Sequence, residues 1–186
     1  MNPLGDWEIF RSGTTEDGLM ALDRIRKFVA LVVQEAIDAL IATDGSDGSE
    51  FIAERIFNFG TIALKPLEKA FGEAPNGTLK VILATLLTQL GSKSGIQTLL
   101  DSIGTGSRVE LLAVNSLVKS KTQDACPLLI QRLDSFEREF YLRPENAPYV
   151  NAFIIALERL NCELPSQLGE RFKSPEVPKY ISHFLK

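Results

Sequence analysis

The sequence has few of the residues that most often carry enzymatic or metal chemistry. Its 186 residues include one histidine and two cysteines. His183 lies close to the C-terminus, which is a poor place for a catalytic triad or a histidine-rich metal site. Cys126 and Cys162 are far apart and form no C-x-x-C motif, so we predict two buried, reduced thiols. We predict no catalytic residue, no metal site and no cofactor.

Long apolar runs and an excess of basic charge are also absent. Residues 28–42 form the longest apolar segment, but Gln34, Glu35 and Asp38 interrupt it, so we predict no membrane span. The N-terminus lacks a basic region followed by an apolar run, which favours a cytoplasmic protein over a secreted one. The net charge of −4 argues against general nucleic-acid binding, because phosphate neutralisation needs clustered lysine and arginine.

The pattern of apolar residues predicts helices only. No segment of useful length alternates with the two-residue period of a strand, so we predict an all-α fold. From residue 19 to 42, apolar residues recur at three- and four-residue steps, which predicts a long N-terminal amphipathic helix. The glycine-containing sequence TDGSDGS at 43–49 then ends this helix.

The residues before this helix have no clear period. Residues 1–18 contain three glycines and an isolated WEIF segment. We predict an irregular lead-in that docks Trp7, Ile9 and Phe10 on the edge of the domain. Residues 19–186 are then predicted to form a single helical repeat domain.

Two helix types recur at intervals of about thirty residues. Segments of the first type, A, lie at 63–71, 95–103 and 125–133. Segments of the second type, B, lie at 51–60, 81–91 and 111–120. Their apolar positions coincide, as Leu67, Leu99 and Leu129 do in the A segments. Self-similarity with this period predicts a solenoid of stacked helical hairpins.

The end of the chain departs from the regular repeat. After Leu133, the sequence DSFEREFYLRPENAP is about ten residues longer than its counterparts, and YVNAFIIALERL at 149–160 restores a B-type helix. In the last segment, Ser174 is a suitable N-cap and Pro175 a suitable first helical residue. We therefore predict a C-terminal capping helix that covers the last exposed hairpin.

The A segment ACPLLIQRL and the B segment SRVELLAVNSL resemble HEAT-type repeats over about residues 50–160. The similarity is to the short, thirty-residue variety that also occurs in phycobilisome-lyase-like proteins. It implies a right-handed α-solenoid of about four helical hairpins, HEAT- or armadillo-like, whose B helices line the concave surface. It also implies a possible role as an accessory subunit or chaperone of a phycobiliprotein (tetrapyrrole) lyase system.

Polar residues of the B segments fall into two rows that are four residues apart, and positions four apart share one face of a helix. The first row contains Glu54, Thr85 and Asn115. The second row contains Asn58, Gln89, Lys119 and, with the wider shift of the last unit, Arg159. The family resemblance implies that both rows line the inner groove. An ordinary solvated helix face explains them equally well.

The insertion after Leu133 is the second candidate site. It places Arg138, Tyr141 and Arg143 close together in sequence, and aromatic residues and arginine are enriched in binding hot spots. An interruption of a repeat also maps to one edge of the array, which is often the binding edge. The alternative is an A helix extended by two turns that buries Phe136 and Phe140.

A non-enzymatic protein–protein interaction module is the leading functional hypothesis, because a repeat fold occurs here without a set of catalytic residues. Its partner, another protein, would lie along the concave B-helix surface and be held by the insertion. The lyase accessory role is one alternative. Nucleic-acid binding through a local basic patch of Lys119, Lys121, Arg132 and Arg159 is another, which the acidic composition disfavours.

Overall fold

The computed structural model describes residues 3–46, 48–106, 108–173 and 177. Over these residues the regular structure consists of eleven α-helices and three short 3₁₀ turns, without a strand, which confirms the predicted all-α class. The chain divides into two compact units, residues 1–79 and 80–186. No described helix is long and apolar enough to cross a membrane.

The first unit is organised around its longest helix. Its helices are α1 (Pro3–Ser12), α2 (Thr15–Ala42), α3 (Ser49–Phe57) and α4 (Leu64–Glu73), with a 3₁₀ turn at Gly60–Ala63. Helix α2 packs against the other three and buries an apolar stripe that includes Val33, Ile37 and Leu40. The long amphipathic helix predicted from the sequence is therefore confirmed, and it begins four residues earlier than expected.

The predicted irregular lead-in is wrong, because α1 and the start of α2 occupy most of it. Gly13 and Thr14 separate the two helices, and the Gly13 N–H donates to the Ile9 carbonyl at 2.8 Å. Thr14 then caps α2, and its hydroxyl oxygen accepts from the Asp17 N–H at 3.2 Å. A side-chain cap of this kind marks the start of a helix, and the spacing of apolar residues alone does not show where that start lies.

Helix α1 is attached to α2 by charge rather than by its aromatic residues. The Arg24 guanidinium donates to the Asp6 carboxylate at 2.7 Å, and Asp6 is buried. Trp7, Ile9 and Phe10 are 50%, 40% and 41% exposed, so the prediction that they dock on the domain edge is wrong. The short helix places them away from its buried side.

The second unit contains the remaining helices. Helix α5 spans Thr78–Gln89 and belongs to this unit from residue 80. The others are α6 (Ile96–Asp101), α7 (Arg108–Lys119), α8 (Cys126–Asp134), α9 (Arg138–Tyr141), α10 (Ala147–Arg159) and α11 (Ser166–Lys173). Helix α7 packs against α6 and α10, and α8 packs against α10. Their fully buried side chains, which form the core, include Leu99, Leu117, Leu129, Phe153 and Phe172.

Three helices of the second unit end in the same backbone arrangement. The second residue past α5, α7 and α10 has positive φ in each case: Gly91 (90°), Lys121 (55°) and Asn161 (53°). The next N–H, of Ser92, Thr122 and Cys162, donates to the carbonyl of Leu87, Leu117 and Leu157 at 2.9, 3.0 and 2.9 Å. This is the hydrogen bond of a Schellman cap. The three caps are separated by thirty and then forty residues, as the sequence alignment predicts.

The segment between α8 and α10 is not an extended A helix. Helix α8 ends at Asp134, and the one-turn helix α9 and a 3₁₀ turn at Pro144–Asn146 fill the gap. Phe136 is nevertheless buried, as the extended-helix alternative expects, and Phe140 is half-buried.

The last part of the chain differs from the prediction. Helix α11 lies before the predicted capping helix and was not expected from the sequence. Ser174, Pro175 and His183 lie outside the described residues. Val177, the one described residue of the predicted capping helix, is buried.

Candidate functional site

The two predicted polar rows do not form one exposed surface. In the first unit, Glu54 and Asn58 are exposed at α3. In the second unit, Thr85 is only 5% exposed, and its hydroxyl accepts a hydrogen bond from the Ser116 hydroxyl at 3.3 Å. Gln89 is half-buried. Thr85 is therefore a satisfied core residue, which its small size allows.

The second unit does bring together two members of the rows that are far apart in sequence. Asn115 on α7 and Arg159 on α10 line the same surface groove, which encloses about 380 Å³. The other lining residues are Val118 from α7 and Pro148, Asn151, Ala152, Ile155 and Ala156 from α10. Val118 and Ile155 are half-buried and Ala156 is buried, so the floor of the groove is apolar. We call this the α7–α10 groove.

Basic side chains lie at the carboxyl end of the α7–α10 groove. Arg159 lines the groove and is exposed. Lys119 is exposed one helical turn after Asn115, on the same face of α7, and Lys121 follows in the cap of that helix. Glu158 is exposed next to Arg159 but does not line the groove. The charged side chain that lines the groove is therefore a cation, in a chain with a negative net charge.

The aromatic residues of the insertion belong mainly to the core. Tyr141 is 6% exposed, with its ring 5.3 Å from that of Phe172 and the Arg171 guanidinium 5.0 Å above it. Phe136 is also buried, in contact with the rings of Phe140, Tyr149 and Phe153. Of the three predicted binding residues in the insertion, Arg138 and Arg143 are exposed and Tyr141 is not.

A buried carboxylate that the sequence analysis does not single out holds the start of α7. Glu110 is completely buried. Its Oε1 accepts from the Gly104 N–H at 2.6 Å and from Arg132 Nε at 3.0 Å. Its Oε2 accepts from the Gly106 N–H at 2.8 Å and from the Tyr149 hydroxyl. The Glu110 carboxylate on α7 therefore accepts hydrogen bonds from the loop before α7, from α8 and from α10.

The same cluster defines the chemistry of Arg132 and Tyr149. Arg132 Nη2 also donates to the Tyr149 oxygen at 3.3 Å, and its guanidinium lies 5.0 Å above the Phe136 ring. Burial, followed by the hydrogen bond to Glu110, raises the pKa of Tyr149 to about 12. Because Arg132 is held by Glu110, it does not belong to an open basic patch with Lys119 and Lys121. This removes one of four residues from the nucleic-acid hypothesis.

A signal for this cluster exists in the sequence, although it is weak. Glu110 stands in the otherwise apolar VELLAV segment, which Arg108 separates from the glycine-containing loop GTGS. A carboxylate at a helix start can accept from loop N–H groups and is favoured by the helix dipole. Its cationic partner Arg132 is 22 residues away, and only the fold places the two together.

The prediction of two reduced thiols is wrong. Cys126 and Cys162 form a disulfide, with their Cα atoms 5.6 Å apart, so neither cysteine of the sequence is free. Both residues are half-buried. Their spacing of 36 residues gave no sequence signal, because the start of α8 and the end of α10 meet only in the folded chain.

The described residues contain no group of three or more His, Cys, Asp and Glu side chains placed to hold a metal ion. In comparisons with known proteins, no family model, curated protein or solved structure matches this chain.

Proposed function

We propose that this protein is a non-enzymatic interaction module, built from HEAT-like helical hairpins, that binds a protein segment in the α7–α10 groove. The observation that carries the proposal is that Asn115 and Arg159, 44 positions apart in the chain, line one groove. The cytoplasmic location and the solenoid arrangement expected from the sequence are part of the same proposal.

The chemistry of the groove defines the partner. Val118, Ile155 and Ala156 offer an apolar floor for one or two side chains. Lys119 and Arg159 offer exposed positive charge at the carboxyl end. The partner is therefore a peptide segment with apolar residues next to aspartate or glutamate, since complementary charge favours encounter and fixes orientation.

The amides of the groove suit a peptide rather than a flat apolar surface. Asn115 is exposed and Asn151 is half-buried, and both line the groove. An asparagine amide has both a donor and an acceptor, so the exposed Asn115 can pair with the N–H and C=O groups of a bound main chain. The exposed Arg138 and Arg143 of the insertion extend the interface in this proposal, whereas Tyr141 supports it from the core.

A selection experiment tests this proposal without a known partner. A display library of random peptides of about twelve residues is selected on the immobilised, oxidised full chain. We expect the selected peptides to combine apolar and acidic residues, and we expect Arg159→Glu and Lys119→Glu to weaken their binding about tenfold or more. Fluorescence polarisation of a labelled selected peptide gives the affinities.

Lys69→Glu is the matched control, because Lys69 is exposed on α4 in the first unit. It should leave the affinity within about twofold of the wild type. Peptides without acidic enrichment, or binding that is insensitive to Arg159→Glu, would overturn the proposal. A labelled single-stranded oligonucleotide is titrated in parallel. Salt-dependent binding of that probe alone, lost in Arg159→Glu, would assign the groove to nucleic acid instead.

A further inference from the structure

We propose that the Cys126–Cys162 disulfide regulates the α7–α10 groove: the oxidised form binds the peptide partner tightly, and reduction weakens the binding. This inference rests on the proposed function for its ligand. The inference also has a structural part, namely that the disulfide orders the carboxyl end of the groove. This part rests on geometry alone.

Each cysteine is attached to the end of one wall of the groove. Cys162 belongs to the cap of α10, since its N–H donates to the Leu157 carbonyl at 2.9 Å. Cys126 is the first residue of α8, and a short turn connects it to the cap of α7, where the Thr122 N–H donates to the Leu117 carbonyl at 3.0 Å. The disulfide therefore joins the carboxyl ends of α7 and α10 with a short connection on each side.

A hydrogen bond also joins the same two segments beside the disulfide. The Gln123 side-chain amide donates to the Leu160 carbonyl at 2.7 Å. Gln123 is exposed, so water competes for this hydrogen bond, whose net contribution is about 1 kcal/mol. When the disulfide is broken, this weak contact remains beside the apolar packing of α7 and α8 against α10.

The basic residues of the groove lie next to the disulfide along the chain. Arg159 is three residues before Cys162, and Lys119 and Lys121 are seven and five residues before Cys126. Loss of the covalent link lets these ends move apart. The distance between Arg159 on α10 and Lys119 on α7 is then no longer fixed. A site that must be ordered on binding has a lower affinity than a preorganised one.

The bond is accessible to the chemistry that the proposal needs. Both cysteines are half-buried rather than enclosed. A thiolate of a dithiol reductant attacks one sulfur, the Cys126–Cys162 bond breaks, and a mixed disulfide forms. The second thiol of the reductant then attacks the mixed disulfide. This frees the protein thiol and releases the reductant as a cyclic disulfide. Two electrons and two protons are transferred to the protein, which carries two free thiols afterwards.

A redox-sensing role for the disulfide is also consistent with the cytoplasmic location that we propose. Thiol reductants of the cytosol keep most cysteines reduced, and disulfides that form there usually act in redox sensing or catalysis. By linkage, a peptide that binds the oxidised form more tightly must also oppose reduction by the same factor. Peptide binding in the groove then shifts the redox equilibrium of the two cysteines, and their redox state changes the affinity of the groove for the peptide.

The test compares peptide binding in three forms of the full chain: oxidised, reduced with dithiothreitol, and the double variant Cys126→Ser/Cys162→Ser. The probe is a labelled peptide selected on the oxidised chain. We expect about fivefold or greater weakening in the reduced form and in the double variant, with no further effect of dithiothreitol on the latter. Should the double variant fail to fold, the reduced wild type provides the same comparison. Equal affinities, within about twofold, would overturn the redox inference while leaving the proposed function intact.

A second measurement needs no peptide. Amide hydrogen exchange is compared between oxidised and reduced protein over residues 119–122 and 159–162, with α4 as the internal control. We expect about tenfold faster exchange at both helix ends after reduction and unchanged exchange in α4. Unchanged exchange at both helix ends would overturn the structural part of the inference. If no peptide is selected at all, the proposed function fails, and this measurement alone decides whether the disulfide orders the groove.

Discussion

The completely buried Glu110 carboxylate should contribute more to the stability of the second unit than any exposed acidic residue. Glu110→Ala removes the acceptor for two backbone N–H groups, a tyrosine hydroxyl and a guanidinium. Breaking a buried ion pair by removing one partner costs about 3–5 kcal/mol. Because the Arg132 side chain is 22% exposed and can reach water, we expect the low end of this range, about 3 kcal/mol.

Urea unfolding followed by circular dichroism measures this loss in free energy of unfolding. Amide hydrogen exchange in α7 assigns it to the second unit, which matters because the chain has two compact units. Glu170→Ala is the control, since Glu170 is exposed on α11, and it should change stability by less than about 0.5 kcal/mol.

A double-mutant cycle separates the ion pair from the other hydrogen bonds of Glu110. Arg132→Met alone leaves the carboxylate buried without its cation, whereas the double variant Glu110→Ala/Arg132→Met removes both charges. We expect a coupling free energy of about 2 kcal/mol, with the double variant less unstable than the sum of the single ones. If Glu110→Ala costs no more than Glu170→Ala, or if the cycle shows no coupling, the reasoning about this cluster is refuted.

Three other substitutions test the packing and the electrostatics. Lys121→Gly should raise the free energy of unfolding by about 0.5–1 kcal/mol, because Lys121 has a φ of 55° that glycine adopts without strain; a loss measured by urea unfolding would contradict the cap. Gly95→Ala should lower it by about 2 kcal/mol or more in the same assay, since the new Cβ would lie 2.5 Å from the Ala84 carbonyl oxygen, whereas Gly169→Ala in the open face of α11 should not destabilise. Tyr149, with a pKa of about 12 against 10 in the unfolded chain, keeps its proton in the folded state between these values, so stability should be complete below pH 10 and fall as the pH rises to 12. The fall should be about 1 kcal/mol after allowance for its partial exposure, and Tyr149→Phe should abolish it; equal pH dependence in the two proteins would refute the assignment.

The helical class and most helix positions could be predicted from the sequence, because apolar periodicity is a local property that each segment carries by itself. The predicted segments 111–120 and 125–133 correspond to α7 (Arg108–Lys119) and α8 (Cys126–Asp134). Helix α1 was missed for a physical reason. Its large apolar side chains stay exposed and it is held by the Asp6–Arg24 ion pair, so it has no buried stripe to detect.

The features that could not be predicted all depend on residues that are distant in sequence. The Cys126–Cys162 disulfide and the Glu110–Arg132 pair need the packing of α7, α8 and α10 before their members meet. No pattern of spacing marks either pair. The sequence even favoured the opposite for the cysteines, since two cysteines that are far apart and form no C-x-x-C motif were predicted to be reduced thiols.

The helix caps of the second unit show why residues of one predicted polar row need not share one environment. The caps at Gly91, Lys121 and Asn161 use three different residue types for one backbone hydrogen bond, so the repeat conserves backbone geometry rather than side-chain character. A polar position in the alignment therefore has no fixed environment. Thr85 is short enough to be buried with its hydroxyl paired, whereas Asn115, in the same slot one repeat later, remains at the surface. What the alignment does preserve is which helix ends lie side by side. Asn115 and Arg159 line one groove because α7 packs against α10, and their role in binding stays a prediction.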